Sequence, residues 1–186
     1  MKFILESIFT FFRGFGFFIL ILSLLVGILL SKWNYILLGL FLIAELIINI
    51  IFKNTFKIIM RNNSFPIIGK GTRPDDAISC GFFTPRTKIK KIVKSFGMPS
   101  GHSQTFAFIG TLIGLHLYNL PNKQHNIYKY ITLIILTLLA MYMRVYIEKC
   151  HTIQQTVIGA LIGISLAILF TKYFGNPFDT PYKETK

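Results

Sequence analysis

Five apolar runs dominate this sequence and fix the solvent in which it can fold. Phe15–Ser31 carries no charge, and Tyr35–Phe52 carries a single one, Glu45. Phe106–Leu120, Tyr130–Met143 and Thr156–Thr171 complete the set. Each approaches the roughly 20 residues that cross the hydrocarbon of a bilayer, some only with help from flanking positions. At 53% hydrophobic residues in 186, the chain is too apolar for an ordinary soluble domain. A backbone surrounded by lipid must satisfy its own N–H and C=O groups, so the runs are predicted to be helices. The expected fold is a single all-α integral membrane domain over residues 1–186. It is a bundle of about five transmembrane helices with a long basic loop between the second and third.

The first run is followed by Lys32, Trp33 and Tyr35, an interfacial anchor, and by no small-residue cleavage site, so it reads as a retained span. Residues 1–14 read either as an interfacial helix or as an extension of that span. Residues 174–186 form a polar tail.

Charge is concentrated. The formal net charge is +13, and ten of the 20 Lys and Arg residues lie within 53–100, against two acids, Asp75 and Asp76. Arg73-Pro74, Pro85, Pro99 and Gly69-Lys70-Gly71 break any long helix there, and a loop of that length is commonly functional or disordered. Three readings suit it: a positive-inside loop hugging anionic lipid, in which "KIKK" at 88–91 fits best; nucleic-acid binding, which the sparse aromatic interleaving disfavours; and recognition of a phosphate-rich substrate.

Five spans put the two ends of the chain on opposite sides of the membrane. The N-terminus, loop 53–100 and the short segment Glu148–Ile153 then share one face. That face gathers Lys53, Lys57, Lys70, Arg73, Ser100, Gly101, His102, Arg144 and His151. Two histidines among fixed cations are the equipment of phosphoryl transfer: the cations neutralise non-bridging oxygens, one imidazole attacks phosphorus, and the other protonates the departing oxygen. With lysine and arginine neutralising the charge, no metal or other cofactor is expected. The turn Pro99-Ser100-Gly101-His102 opens the third helix, so its free N–H groups and helix dipole would face an anion.

These residues resemble the type 2 phosphatidic acid phosphatase superfamily of membrane lipid phosphatases. That family's pattern is a Lys followed six residues later by Arg-Pro, then Pro-Ser-Gly-His, then Ser-Arg, a five-residue gap, His, three residues and Asp. The middle part is intact at Pro99–His102. Arg73-Pro74 matches the first part, whose lysine is displaced; "NIIFK" at 49–53 nominates Lys53, with Lys57 one turn on. The third part runs from Arg144 to His151, one residue longer than usual, with Met143 in place of the serine and Gln155 in place of the aspartate. Dolichyl diphosphate phosphatases, one branch of the superfamily, are similar in "GMPSGHSQ" and in "HTIQQ". The resemblance implies that His151 is the nucleophile, that His102 is the proton donor, and that Arg144, Lys53, Arg73, Ser100 and Gly101 grip phosphate. Gln155 would orient His151 without adding charge.

The reading implied is a metal-independent phosphatase of a polyprenyl (dolichyl-type) diphosphate or of a phosphatidate-type lipid, acting through a phosphohistidine. The second reading is a catalytically silent member that binds anionic lipid or scaffolds partners. Phosphorylated lipid and membrane lipids are the expected partners, and nucleic acid is not. The location expected is multi-pass in a membrane, an endomembrane such as the endoplasmic reticulum in a eukaryotic host. Loop charge argues for a cytoplasmic active face, whereas the family resemblance implies a lumenal or external one.

Several residues carry structural expectations. Glu45 lies about 12 Å of helical rise from Lys53, too deep for direct phosphate chemistry. Gly110-x-x-x-Gly114 and Gly159-x-x-x-Gly163 should let helices approach closely. His116 and His125 lie toward the opposite face and are not expected in catalysis. Cys80 and Cys150 are too few for a disulfide framework, and free thiols are expected.

Overall fold

The computed structural model describes residues 2–60, 64–77, 80, 96–120 and 127–179. "KIKK" at 88–91, His125 and residues 180–186 of the tail lie outside the described residues. The chain forms α1 (Lys2–Leu29), α2 (Trp33–Met60), a two-residue antiparallel hairpin of β1 (Ser64–Phe65) and β2 (Gly69–Lys70), α3 (Gly101–Asn119), α4 (Ile127–Tyr142) with a π-helical turn at Met143–Ile147, and α5 (Ile153–Phe174).

Among the described residues four helical segments are long and apolar enough to cross a membrane: Thr10–Leu29, Trp33–Met60, Ile127–Ile147 and Ile153–Phe174. Their outward faces expose large apolar side chains, among them Phe18, Leu25, Ile51, Ile134 and Leu161, as lipid-facing surfaces require. The fifth helix, α3, is the inner one and touches all four others. Screened from lipid, it can carry polar residues that lock the bundle. The buried Gln104 accepts from Asn49 Nδ2 at 2.7 Å and donates to the Glu45 carbonyl at 3.1 Å, tying α3 to α2. An apolar core of Leu38, Phe41, Leu42, Phe108, Ile109, Leu112 and Ala167 fills the space between α2, α3 and α5.

The first helix runs without a break from Lys2 to Leu29, with its most apolar stretch, the candidate span, at Thr10–Leu29. The second helix continues to Met60, which makes Lys53 and Lys57 helical; the connecting segment is therefore shorter than 53–100, because "KNTFKIIM" contains no breaker before Asn62-Asn63. Ser31, at φ 50°, turns the chain tightly from α1 into α2.

The two glycine pairs behave differently. A Cβ on Gly159 or Gly163 would collide with the α3 backbone at Ser100 and Gln104, so these glycines do permit close helix approach. Gly110 and Gly114 leave ordinary contact distances of 3.5 and 3.7 Å to Thr137 and Tyr130, and they line an apolar groove of about 650 Å³ with α4 and α5 residues. The expectation of close approach fails there because α4 presents bulky side chains to them.

At the far end of the bundle, residues 175–179 fold back over the helix ends. Asp179 Oδ1 pairs with His116 Nδ1 at 2.7 Å, its carbonyl accepts from Asn34 at 2.7 Å, and Asn176 donates to the Leu112 carbonyl at 2.8 Å. His116 thus fastens the tail, at the end of α3 opposite His102.

Candidate active site

Three sequence-distant segments meet where α3 and α5 begin. Ser100 caps α3, its hydroxyl accepting from Ser103 N, and Thr152 caps α5 in a reciprocal capping box with Gln155. The two helix starts are tied by Ser100 N donating to the Gln155 carbonyl at 3.0 Å. The loop joins them through a bridge between Thr72 and Phe96, with Gly97 N donating to Gly71 O at 2.8 Å.

Between these segments lies a cavity of about 240 Å³. His102, His151, Arg73 and Arg144 line it, together with Lys53, Gly101 and, deeper, Glu45 and Thr105. Lys53, not Lys57, is the α2 lysine that reaches it; Lys57 is exposed one turn beyond. Ser100 is fully buried and spends its hydroxyl on the helix cap and on Ser103. It does not line the cavity. Glu45 does, despite its depth, because α2 runs down the cavity wall; Thr105 Oγ1 donates to its carboxylate at 3.2 to 3.3 Å.

Hydrogen bonding fixes the His151 ring. Gln155 Nε2 donates at 2.8 Å to both the Lys70 and the Thr72 carbonyl, which turns its Oε1 toward His151 Nδ1, 3.2 Å away. An amide oxygen only accepts, so Nδ1 carries the hydrogen and Nε2 keeps its lone pair. That lone pair faces Arg73 Nη1 at 3.4 Å, while the same nitrogen donates to the Cys150 carbonyl at 3.0 Å. Burial, then the charges of Arg144 and Arg73, hold the His151 imidazole well below its ordinary range, so it is neutral at physiological pH. Burial and Arg144 lower the Arg73 guanidinium to about 10, which leaves it charged.

His102 Nε2 lies 3.1 Å from the Arg13 carbonyl. A carbonyl accepts only, so Nε2 holds a hydrogen. Arg144 is nearly inaccessible and pairs with Glu148, whose other oxygen meets Arg13 Nε at 3.1 Å. The π-turn that carries Arg144 absorbs one residue more than an α-turn would. The Arg144–His151 spacing is likewise one residue longer than the sequence pattern leads one to expect. The Arg144 carbonyl then accepts from Cys150 N and His151 N, closing the turn.

Cys80 and Cys150 form a disulfide, which corrects the expectation of free thiols. The loop doubles back over the site and brings Cys80 beside Cys150 from 70 residues away, a proximity invisible in the spacing. Lys149, in the left-handed region at φ 53°, adds an ion pair to Asp76 at 2.7 Å. Arg13, Glu148 and Asn49 also escaped the sequence reading. Glu148 lies one helical turn from Arg144, and that interval was the available signal. Among the described residues no group of three His, Cys, Asp or Glu side chains could hold a metal ion.

The fold and the site define a helical membrane protein with a buried, cation-rich cavity lined by two histidines. The model of the PAP2 superfamily matches residues 34–179, and the chain belongs to that superfamily. Its members are generally phosphatases, so membership supports a phosphoric ester hydrolase that works on membrane lipid. None of the curated proteins and none of the solved structures matches the chain.

Proposed function

We propose that this protein hydrolyses a lipid diphosphate of the polyprenyl, dolichyl-like kind, or a phosphatidate-type monoester, through a phosphohistidine on His151. The observation that carries the reading is the unprotonated Nε2 of His151 facing a cavity walled by Lys53, Arg73 and Arg144. Those three cations and the N–H groups opening α3 at Gly101 grip the non-bridging oxygens.

The Nε2 lone pair attacks phosphorus as the bond to the leaving oxygen breaks. That oxygen takes a proton from His102, which donates from Nδ1 after the bound phosphate's negative charge has drawn a second proton from water onto the ring; Nε2–H stays engaged by the Arg13 carbonyl. Neutral His102 then accepts a proton from water as the water oxygen attacks phosphorus and the N–P bond breaks, releasing phosphate and restoring His151.

Two further features support a lipid substrate on an oxidising face. The cavity shares Glu45, Leu46 and Thr105 with an apolar crevice of about 70 Å³ that continues past Phe17, Leu20 and Leu42, between α1 and α2. This suits a hydrocarbon tail. A disulfide beside His151 suits a lumenal or external compartment, since thiols stay reduced in the cytosol.

The test is phosphate release from dolichyl diphosphate, undecaprenyl diphosphate and phosphatidate in detergent, without added divalent metal. Wild type should turn over at least one and should yield an acid-labile phosphoprotein on rapid quench. His151→Ala should lose both. Full turnover in His151→Ala and His102→Ala would overturn the mechanism.

A further inference from the structure

The superfamily match starts at residue 34, yet α1, which precedes it, reaches the candidate site. Phe12 and Phe15 stack on Phe106 with ring centroids 5.6 and 4.5 Å apart, docking α1 one turn beyond His102. Two contacts follow at Arg13: its carbonyl meets His102 Nε2 at 3.1 Å, and its side chain pairs with Glu148 at 3.1 Å. Glu148 in turn pairs with Arg144. Arg13, Glu148 and Arg144 are 7%, 4% and 3% exposed, so water screens these charges weakly.

We infer that Arg13 is a positioning residue that sets the charge Arg144 presents to phosphate. Glu148 stands between two guanidinium groups. Its negative charge is shared, and the triad retains one net positive charge beside the cavity. Without the Arg13 charge, Glu148 is drawn more fully to Arg144, and the net charge of these groups falls from one to zero. Without Glu148 the triad carries two positive charges that repel each other. Removing both Arg13 and Glu148 charges returns it to one. The His102 contact uses the Arg13 backbone, so a side-chain substitution leaves that atom in place and isolates the charge effect.

The inference rests on the phosphate-transfer reading of the cavity, but its test reads binding separately from turnover. Affinity for inorganic phosphate is measured by calorimetry on the full chain in detergent, alongside KM and kcat for the lipid substrate. The set is wild type, Arg13→Gln, Arg13→Lys, Glu148→Gln and the Arg13→Gln/Glu148→Gln double variant. Losing one weakly screened charge should weaken phosphate binding in Arg13→Gln by roughly tenfold or more and raise KM in step. Arg13→Lys should stay near wild type. The double variant should regain most of the lost affinity, a reversal that two packing defects would not produce.

Wild-type affinity in Arg13→Gln, or a double variant as weak as or weaker than Arg13→Gln, would overturn the inference. The predicted affinity pattern without lipid turnover in wild type would sustain it while sinking the enzymatic reading. Turnover without that pattern would do the reverse.

Discussion

Gln155 Oε1 lies 3.2 Å from His151 Nδ1, and the same side chain's Nε2 donates to the Lys70 and Thr72 carbonyls of the basic loop. One amide therefore orients the imidazole and pins the segment that carries Arg73. A carboxylate could accept from His151, but it would turn its second oxygen toward two carbonyls with no hydrogen to offer. The glutamine is a structural solution to a loop that folds over the site.

Gln155→Asp, which installs the residue of the family pattern, should consequently lower activity. The shorter side chain loses both donor bonds and leaves two carbonyls unsatisfied, at about 1–3 kcal/mol each if they stay buried. Turnover should drop at least tenfold, with a lower melting temperature. An unchanged or faster enzyme would show that the loop is held by other contacts.

The His151 ring makes stability depend on pH. Its native pKa lies well below the ordinary imidazole value, whereas the unfolded residue titrates near 6.5. Between those two values the unfolded chain binds a proton that the native chain refuses. Stability therefore falls as pH drops below about 6.5 and stops falling below the native value, with a slope of about 1.4 kcal/mol per pH unit. His151→Asn should lack this component. Melting temperatures of both proteins from pH 7.5 to 5 check it, and parallel curves would mean that His151 is not buried neutral.

The helices were legible because lipid demands long apolar runs, and the Pro99–His102 turn was legible because a capped helix start has a characteristic local sequence. Arg13 was not, since a single arginine in an apolar helix has no local pattern that reveals its partner. The disulfide was hidden for a related reason: its two cysteines are joined only by the path of the loop. Lys53 and Lys57 share one face of the continuous helix α2, so only depth separates them: Lys53 reaches the cavity and Lys57 lies exposed one turn beyond. Glu45 reaches the deep end of the cavity because α2, which carries both it and Lys53, forms the cavity wall.

The Cys80–Cys150 bridge closes the loop against the segment bearing His151, and Arg144 Nη2 also reaches the Cys80 carbonyl at 3.4 Å. Reduction should release Cys80 from the cavity wall and loosen Arg73, raising KM more than it lowers the melting temperature. In sealed vesicles a membrane-impermeant reductant should have this effect only where the active face is outward. Cys80→Ser and Cys150→Ser should reproduce it, and variants with wild-type KM would remove the bridge from any role in substrate binding.

Gly159 and Gly163 test whether the helix contact itself brings the site together. Each faces α3 backbone at a separation that leaves no room for a methyl group, Gly159 against Ser100 and Gly163 against Gln104. Backbone cannot swing aside as a side chain can, so an added Cβ must push α3 and α5 apart. Overpacking of this kind costs about 1–3 kcal/mol. Gly159→Ala should do more harm to turnover than Gly163→Ala, because Ser100 immediately precedes Gly101 and His102, and its N–H is bonded to Gln155 O. Gly163→Ala acts one turn deeper and should mainly lower the melting temperature. Gly110→Ala, facing Thr137 at an ordinary contact distance, should change neither measurably. Equal effects at all three positions would mean that α3 and α5 can separate without disturbing His102 and His151.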